Sequence, residues 1–327
     1  MSATPSDATG LQRTSAHWDA WQRSRPAEQN LYADWGDHPT VFRAVMRHTF
    51  GHADDNFFSF LKAQYPQCAQ AHALSLCCGD GAFEQQLLEQ GVFGRITGLE
   101  LSSERMAHGR ARLAQAPAPS PALDFLQQDV NSGAFGERCF DVVFAKAALH
   151  HIQDLETALA GILRCLKPDG LLVTIDFFGP SRFQWTDAQL QACNDFWRER
   201  VPPGLQREPD GSPTPPIGRP SVDDMLAMDP SEAARSGELH ALLHRHFEVL
   251  EDRALGGTLL NLLLYGQRVN RFDAADPLHS AVLEEAVGLE RELMAQGRLG
   301  SDFRFMVARP RRWTRWLKSF GQAATGW

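Results

Sequence analysis

The sequence predicts an α/β protein: a doubly wound, mostly parallel sheet with an N-terminal helical layer and helical insertions near the C-terminus. Two observations lead to this fold. Residues 73–82 read ALSLCCGDGA, an apolar run that ends in a glycine turn, and a later apolar run closes at Glu100. A strand, a glycine turn, a helix and a strand ending in a carboxylate form one nucleoside-binding half of such a sheet.

Further strand and helix units follow along the chain. Five strands are expected, at 73–78, 95–100, 123–127, 140–145 and 171–176. A helix near 82–90 stops at Gly91, and the next begins at Ser102 or Ser103. The helix after the fourth strand starts at Asp154, carries one apolar stripe and ends in the turn 167–170. Five strands alternating with helices predict a parallel sheet covered on both faces.

The flanking segments differ from this core in composition. Residues 1–16 are small and polar and are expected to be disordered, whereas 18–65 are helical in pattern and rich in aromatic residues. A helix is expected over 186–199, and the seven prolines of 202–220 predict an extended loop or lid. Another helix is expected to open at Asp229-Pro230, with Ser231 and Glu232 in its cap. Strands at 247–254 and 303–308 enclose helices at 259–264 and 281–295.

These boundaries divide the chain into five segments. They are a disordered start with a helical cap (1–66), the nucleoside-binding core (67–180), a helical and proline-rich lid (181–245), the last strands with a helical insertion (246–308) and a basic tail (309–327). The tail predicts an amphipathic helix with its tryptophans on one face. It is expected to pack on the body, and contact with an anionic membrane is the alternative.

Composition excludes several classes of protein. The formal net charge of −8 over 327 residues argues against a nucleic-acid partner, because phosphate binding needs an excess of Lys and Arg. No signal peptide or membrane span is visible, and the six cysteines show no CxxC pair. A reduced, cytoplasmic protein is expected. No Asp/Asn cluster follows the fourth strand, so no metal is expected.

The glycine turn favours one kind of nucleoside. A dinucleotide fingerprint needs a third glycine three residues after the second, but Glu84 stands there and would repel a diphosphate. S-adenosylmethionine carries no phosphate, and its sulfonium suits an acidic environment. Glu100 can accept hydrogen bonds from a ribose diol. The loop is therefore expected to bind S-adenosylmethionine.

The linked motifs resemble the class I S-adenosylmethionine-dependent methyltransferases over residues 70–180. They are SLCCGDG, Glu100, LQQDV with Asp129, FDVVFAKAALHHI and LKPDGLLVTIDF. The resemblance implies a Rossmann-like fold and S-adenosylmethionine as cofactor, with Glu100 on the ribose and Asp129 on the adenine. The donor-binding residues it implies are Cys78, Gly79, Asp80, Gly81, Glu100, Leu101, Asp129, Val130 and Ala145.

Two residues depart from that family's first motif. Ser75 stands where the family has an acidic residue, and Cys77 stands where it has its first glycine. In the family the acidic residue helps to orient the loop and the methionine amino group, so this contact is expected from elsewhere or through water. The C-terminal pieces GPSRFQW, DPSEAARS and GGTLL are similar to a little-defined bacterial subgroup with a long C-terminal extension.

The acceptor is expected at the carboxyl ends of the fourth and fifth strands, where open α/β sheets bind ligands. His150, His151 and Asp176 lie there and are the catalytic candidates. A histidine would position the acceptor or remove its proton; alternatively both histidines only fill a turn. The expected acceptor contacts are Tyr32, Trp35, Phe178, Arg182, Trp185 and Arg235.

The leading function is methyl transfer to a small molecule, with a saccharide or an amino-acid-like compound among the possible acceptors. A second hypothesis is a reaction of S-adenosylmethionine itself that releases methylthioadenosine. A third is a non-catalytic S-adenosylmethionine-binding protein. The reaction product distinguishes the three hypotheses.

Overall fold

The centre of the protein is one seven-stranded sheet. The computed structural model describes residues 5–24, 32–51, 56–116, 122–208 and 210–311. The strand order is β3-β2-β1-β4-β5-β7-β6; the first five run parallel, and β7 is antiparallel to both neighbours. The strands are β1 His72–Leu76, β2 Arg95–Glu100, β3 Leu123–Gln127, β4 Phe140–Lys146, β5 Leu166–Phe177, β6 Phe247–Gly256 and β7 Phe303–Pro310. The strand order reverses beside β1, where such sheets bind nucleosides.

Helices cover both faces of the sheet. The described α-helices are α1 Pro5–Ser24, α2 Pro39–Phe50, α3 Phe57–Gln64, α4 Ala82–Glu89, α5 Ser103–Ala114, α6 Leu155–Cys165, α7 Asp187–Arg200, α8 Val222–Met228, α9 Ser236–His246, α10 Leu260–Leu263 and α11 Pro277–Ala295. One core lies between the sheet and α2, α3, α4, α7, α10 and α11. A second core lies on the opposite face under α6 and α9.

The predicted doubly wound fold is confirmed, because each strand had a local sequence signal. All seven strands lie where apolar runs predicted them. Helix α6 begins at Asp154, whose side chain accepts a hydrogen bond from the Thr157 amide at 3.0 Å, and its apolar stripe is buried. Helix α7 begins with a capping box between Thr186 and Gln189, which satisfies amides that the first turn leaves unpaired.

The turn predicted at 167–170 is present as a bulge within β5: Phe140 of β4 pairs with Leu166 and Val142 pairs with Leu171, so four residues of β5 stand opposite one of β4. Two local predictions were wrong. Residues 5–16 are the first part of α1 rather than disordered, because α1 packs against α5. Residues 229–235 are a turn rather than a helix start, and α9 begins only at Ser236. The Asp229 side chain accepts from the amide of Ser231, which closes the turn.

The N-terminal layer lies on the sheet rather than apart from it. Phe50 and Phe60 contact Phe305 of β7, with ring centroids 5.3 and 5.6 Å apart. The layer therefore belongs to the first core, as its aromatic content predicted. The five-segment division of the chain stays a prediction.

The C-terminal tail lies mostly outside the described residues. Arg309 ends β7 and pairs with Glu248, whereas the expected tail helix falls on residues that the structure does not describe. Among the described helices, none combines the length and the apolar content that a membrane crossing requires.

Candidate functional site

The glycine loop after β1 is held in a conformation that needs glycine. Gly79 and Gly81 have φ of 62° and 71°, in the left-handed region. A Cβ at Gly81 would lie 2.7 Å from the Phe125 ring. At Gly79 it would lie 2.5 Å from the Arg105 guanidinium, so this side chain covers the loop. Cys77 also has a positive φ, 51°, where glycine is the usual residue.

Glu100 holds the glycine loop through backbone hydrogen bonds. Its Oε2 accepts from the Gly79 amide at 2.8 Å, and its Oε1 accepts from Leu101 and Ser102 at 2.9 and 2.8 Å. A carboxylate has about four acceptor positions, so one remains on Oε2. Glu100 therefore fixes the loop, and the free position is available to one hydroxyl group of a ligand.

A second carboxyl group lies beneath the same loop. Glu84 of α4 is buried, and its Oε1 accepts from the Ser75 hydroxyl at 2.7 Å. Its Oε2 is buried without a hydrogen-bond partner among the described residues. Burial raises the pKa of Glu84 to about 7. A carboxyl group therefore lies next to Ser75, the position at which the family has an acidic residue.

The remaining residues predicted to bind the donor surround this loop. Asp129 accepts from the Asn131 amide at 2.9 Å and follows β3, beside the end of β2. Asp80 accepts from the Ala82 amide at 3.1 Å just before α4 and lies 3.3 Å from Arg112. Cys78, Val130 and Ala145 are buried, and Leu101 is half-buried. The structure brings all of them to the carboxyl ends of β1 to β4.

The turn after β4 is anchored by Asp176 at the end of β5. The Asp176 carboxylate accepts from the amides of Ala148 and Leu149 at 2.9 and 2.7 Å, and from His150 Nδ1–H at 2.6 Å. Asp176 is 1% exposed. It therefore positions His150 and has no surface left for an acceptor.

His151 points into the same region from the other side of the turn. Its Nδ1 lies 3.1 Å from the Ser231 hydroxyl, which in turn donates to Asp229 at 2.8 Å. The hydroxyl proton is used by Asp229, so His151 Nδ1–H is the donor to Ser231. Both histidines thus have their Nδ1 hydrogen-bonded and turn Nε2 toward Glu232, at 3.4 Å for His150 and 3.9 Å for His151.

Burial and neighbouring charges shift the pKa values of the two imidazoles in opposite directions. Burial opposes the charge on His150, but Asp176 and Glu232 outweigh it and raise the pKa of His150 to about 10. Burial and the neighbouring His150 lower the pKa of His151 to about 4. Burial also opposes the charge on Glu232, yet the two imidazoles lower the pKa of Glu232 to about 2. These shifts favour a charged His150 paired with a charged Glu232, beside a neutral His151.

Helix α1 covers the site between the glycine loop and the histidines. The Trp18 ring meets the His151 ring edge to face at 5.4 Å, and the Arg105 guanidinium lies 4.8 Å from the same indole. Asp19 accepts from the Ser102 hydroxyl and, at 3.4 Å, from the Glu104 amide. From the sequence, the N-terminal layer around Tyr32 and Trp35 and the proline-rich segment 202–220 are expected to cover the site as well, and that role stays a prediction.

A continuous aromatic wall extends from His150 away from the glycine loop. Centroid distances are 6.2 Å from His150 to Phe177, 5.1 Å from Phe177 to Phe183 and 5.1 Å from Phe183 to the stacked Trp185. Tyr265 lies 6.2 Å beyond Trp185. Trp35 joins the wall from behind, through Phe303.

Four other residues predicted to contact the acceptor form contacts with the rest of the protein instead of joining this wall. Phe178 packs in the second core beside His240. Arg182 donates to the Glu232 carbonyl at 2.9 Å and so fixes the turn 229–235. Arg235 pairs with Glu156 and Glu238, outside the cluster that His150, His151 and Glu232 form. The Tyr32 amide bonds to Asn270 at 2.7 Å.

Comparison with known proteins agrees with this geometry. A family model described as "Methyltransferase domain" matches residues 74–174. This match supports a class I S-adenosylmethionine-dependent methyltransferase core over these residues. Its cofactor is S-adenosylmethionine.

The curated relatives match between a third and two fifths of this chain. The 2-phytyl-1,4-naphtoquinone methyltransferase of Nostoc punctiforme is 30% identical over 125 residues, 38% of this chain and 54% of the relative. The demethylmenaquinone methyltransferase of Lactococcus lactis is 33% identical over 109 residues, 33% of this chain and 42% of the relative. The chain thus spans about half the length of the curated relatives it matches. A Mesorhizobium loti S-adenosylmethionine-dependent methyltransferase aligns at TM-score 0.43 and 19% identity, over 76% of this chain and 95% of its own.

The residues present fit S-adenosylmethionine. Gly79 and Gly81 place no side chain of their own in the loop, and Glu100 keeps one acceptor position for a hydroxyl. Glu84 offers a buried carboxylate oxygen without a partner among the described residues, which suits the ammonium group of the methionine part. Arg105 lies over Gly79, so this side chain would have to shift to admit the donor.

Sequence reasoning missed four residues of this site: Trp18, Glu84, Asp229 and Glu232. Glu84 was noted only as an obstacle to phosphate, and Glu232 only as a helix cap. One signal was available: a residue before proline avoids helical backbone, so Asp229-Pro230 also favoured a turn. Trp18 gave no comparable signal.

Proposed function

We propose that the chain transfers a methyl group from S-adenosylmethionine to a small-molecule acceptor that carries a hydroxyl group on an aromatic ring. One observation supports the proposal above all others. Trp18 touches His151 on one side and Arg105 on the other, and Arg105 covers Gly79. The donor loop and the histidine pair therefore face one enclosed region under α1.

The chain's own residues would divide the work between donor and acceptor. Gly79, Gly81, Glu100 and Asp129 would hold the donor, which supplies an activated methyl group when bound. His150 faces a carboxylate at each ring nitrogen, Asp176 at 2.6 Å and Glu232 at 3.4 Å, so it is a positioning residue. Methyl transfer depends mainly on aligning the reactants, which α1 assists by excluding water.

The aromatic wall supports an aromatic acceptor over a saccharide or an amino-acid-like one. Phe183 and Trp185 are buried and stacked on each other, and Tyr265 beside them is exposed, so an aromatic acceptor would stack on this end of the wall. The Trp185 indole N–H is buried with no hydrogen-bond partner among the described residues, so an acceptor oxygen would satisfy it. The quinone substrates in the names of the two relatives agree with this class of acceptor.

Product analysis tests the proposal. The full chain is incubated with S-adenosylmethionine and, in separate reactions, a naphthohydroquinone, a catechol, a hexose and an amino acid. S-adenosylhomocysteine with a phenolic acceptor supports the proposal, and the same product only with the hexose or the amino acid overturns the acceptor class. Release of methylthioadenosine would show that the reaction is not methyl transfer. If calorimetry shows that the donor binds but no product forms with any acceptor, the proposed methyl transfer is also overturned.

A matched pair of variants tests the site. Glu232→Gln should lower turnover at least tenfold while leaving donor affinity unchanged, since Glu232 lies on the acceptor side. Glu238→Gln lies six residues further on and pairs with Arg235 outside the cluster, so its turnover should match the unsubstituted chain. Equal turnover in the two variants would place the acceptor elsewhere.

A further inference from the structure

Two imidazoles and one carboxylate converge between the end of β4 and the turn 229–235. One possible ligand atom from each of His150, His151 and Glu232 lies within 4.8 Å of the others. We propose that these three residues bind a divalent transition-metal ion, with Zn²⁺ as the reference ion. Two histidines with one carboxylate form a common protein ligand set for such ions.

The distances fit a metal site that closes around its ion. Zinc–nitrogen and zinc–oxygen bonds are about 2.0–2.2 Å long, so neighbouring ligand atoms in a tetrahedral site lie about 3.4 Å apart. His150 Nε2 lies 3.4 Å from Glu232 Oε1, and His151 Nε2 lies 3.9 Å from Oε2. Small side-chain rotations bring all three to bonding distance.

Both histidines are oriented as metal-binding histidines usually are. A ligating imidazole normally donates its second N–H to a carboxylate or another acceptor, which fixes its tautomer and its direction. His150 Nδ1–H donates to Asp176 at 2.6 Å. His151 Nδ1–H donates to Ser231, which donates to Asp229. The two Nε2 atoms are thereby the ones left to face Glu232, and an ion that binds there would displace the proton that His150 Nε2 directs at Glu232.

The charges around the cluster favour a cation. Asp176, Asp229 and Glu232 bring three carboxyl groups to one buried region. Asp229 is 1% exposed, and its Oδ2 has no hydrogen-bond partner among the described residues. His150 and the Arg182 guanidinium compensate part of this negative charge, and a divalent ion would compensate the rest.

A second group on the protein surface provides the contrast. His240 and His244 of α9 meet Asp252 of β6, with Nε2–Oδ2 distances of 2.8 and 3.4 Å. Arg304 already bonds Asp252 at 2.6 Å and supplies a positive charge there. The two histidines are also largely exposed, so the buried group is the stronger site and the surface group is a control.

The ion's role follows from its free coordination positions. An ion held by three protein ligands keeps at least one position for another ligand. This part of the inference rests on the proposed function: that ligand would be an oxygen of the acceptor, which the ion would orient toward the donor loop. The site itself is tested without any acceptor.

Metal titration of the full chain tests the site. Chelator-stripped protein is titrated with Co²⁺ while visible absorption is followed, and Zn²⁺ affinity is then measured by competition. One equivalent should bind to the unsubstituted chain and to the surface control His244→Ala. Glu232→Gln and His151→Asn should each weaken binding at least tenfold. Binding of S-adenosylhomocysteine to every variant confirms that it is folded.

Three results would overturn the proposal. The first is that the unsubstituted chain does not bind Co²⁺ at micromolar concentration. The second is that Glu232→Gln and His151→Asn bind Co²⁺ as tightly as the unsubstituted chain does. The third is that His244→Ala alone loses binding. Methyl transfer is assayed in the same samples. Methyl transfer without metal binding would overturn the metal site and leave the proposed function in place. Metal binding without methyl transfer would overturn the proposed function and leave the metal site in place.

Discussion

Glu84→Gln is expected to stabilise the donor-free protein at alkaline pH and to weaken donor binding. Glu84 is 3% exposed; its Oε1 accepts from Ser75, and its Oε2 has no partner among the described residues. An ionised carboxylate in that position is poorly solvated. The same unpaired oxygen is the one available to the ammonium group of S-adenosylmethionine.

The magnitude follows from the pKa of Glu84. Burial raises that pKa from 4.5 to about 7. The unfolded chain therefore releases this proton first as pH rises, so the free energy of unfolding falls between pH 4.5 and about pH 7. The difference corresponds to about 3 kcal/mol, at about 1.4 kcal/mol for each tenfold change. The penalty is fully present above pH 8 and absent below pH 4.5, and Gln cannot ionise.

Urea unfolding at pH 5 and pH 8.5 measures this effect. Glu84→Gln should match the unsubstituted chain at pH 5 and exceed it by about 2–3 kcal/mol at pH 8.5. Glu89→Gln is the matched control, because Glu89 is exposed on the same helix and accepts from the Gln85 side chain. A pH-independent difference between the Glu84 variant and the unsubstituted chain would refute the reasoning.

Calorimetry with S-adenosylmethionine measures the donor affinity of the same Glu84→Gln variant. Losing a hydrogen bond to a charged group costs about 1.5–3 kcal/mol, so affinity should fall roughly tenfold to a hundredfold. If the variant is more stable at alkaline pH and binds the donor more weakly, the carboxylate that destabilises the folded protein is the one that binds the donor. Unchanged affinity would mean that the donor's ammonium group binds elsewhere.

The remaining predictions concern the loop, its cover and one strained turn. Glu100→Ala leaves three amides unpaired and should weaken donor binding roughly tenfold to a hundredfold by calorimetry, with Glu100→Gln in between; equal affinities would remove Glu100 from the donor site. Trp18→Ala should speed hydrogen exchange in α1, whose packing on His151 and Arg105 it removes, and unchanged exchange would show that α1 docks by other contacts. Ala147→Gly should stabilise by about 1 kcal/mol in urea unfolding, because Ala147 is exposed with φ 48°; a destabilised variant would contradict the strain.

The sheet and the donor loop could be predicted because their signals are local. Each strand is a short apolar run, and the turn at Gly79 and Gly81 needs residues that tolerate a positive φ. Helix α6 has its cap, its stripe and its end within one short stretch. No distant part of the chain had to be known for these elements.

The cover over the site could not be predicted in this way. Residues 5–16 are small and polar, and an isolated helix of that composition is marginal in water. Contacts far along the chain stabilise α1 instead: Asp19 bonds Ser102, and Trp18 packs on His151. The expected cover was sought in Tyr32 and Trp35, which have stronger aromatic signals but lie behind the aromatic wall or beside Asn270.

The turn 229–235 shows most clearly how one sequence pattern can fit two local structures. An Asp followed by Pro suits a helix start, and it equally suits a turn in which the Asp side chain accepts from the Ser231 amide. Distant contacts decide between them. Arg182 binds the carbonyls of Glu232 and Ala233 from 50 residues away, and the Ala234 amide donates to the His150 carbonyl. Those contacts exist only once β4 and β5 have paired, and they turn Glu232 inward to the two histidines. The residue on which both the acceptor site and the metal site depend is therefore placed by tertiary structure, which no short stretch of sequence encodes.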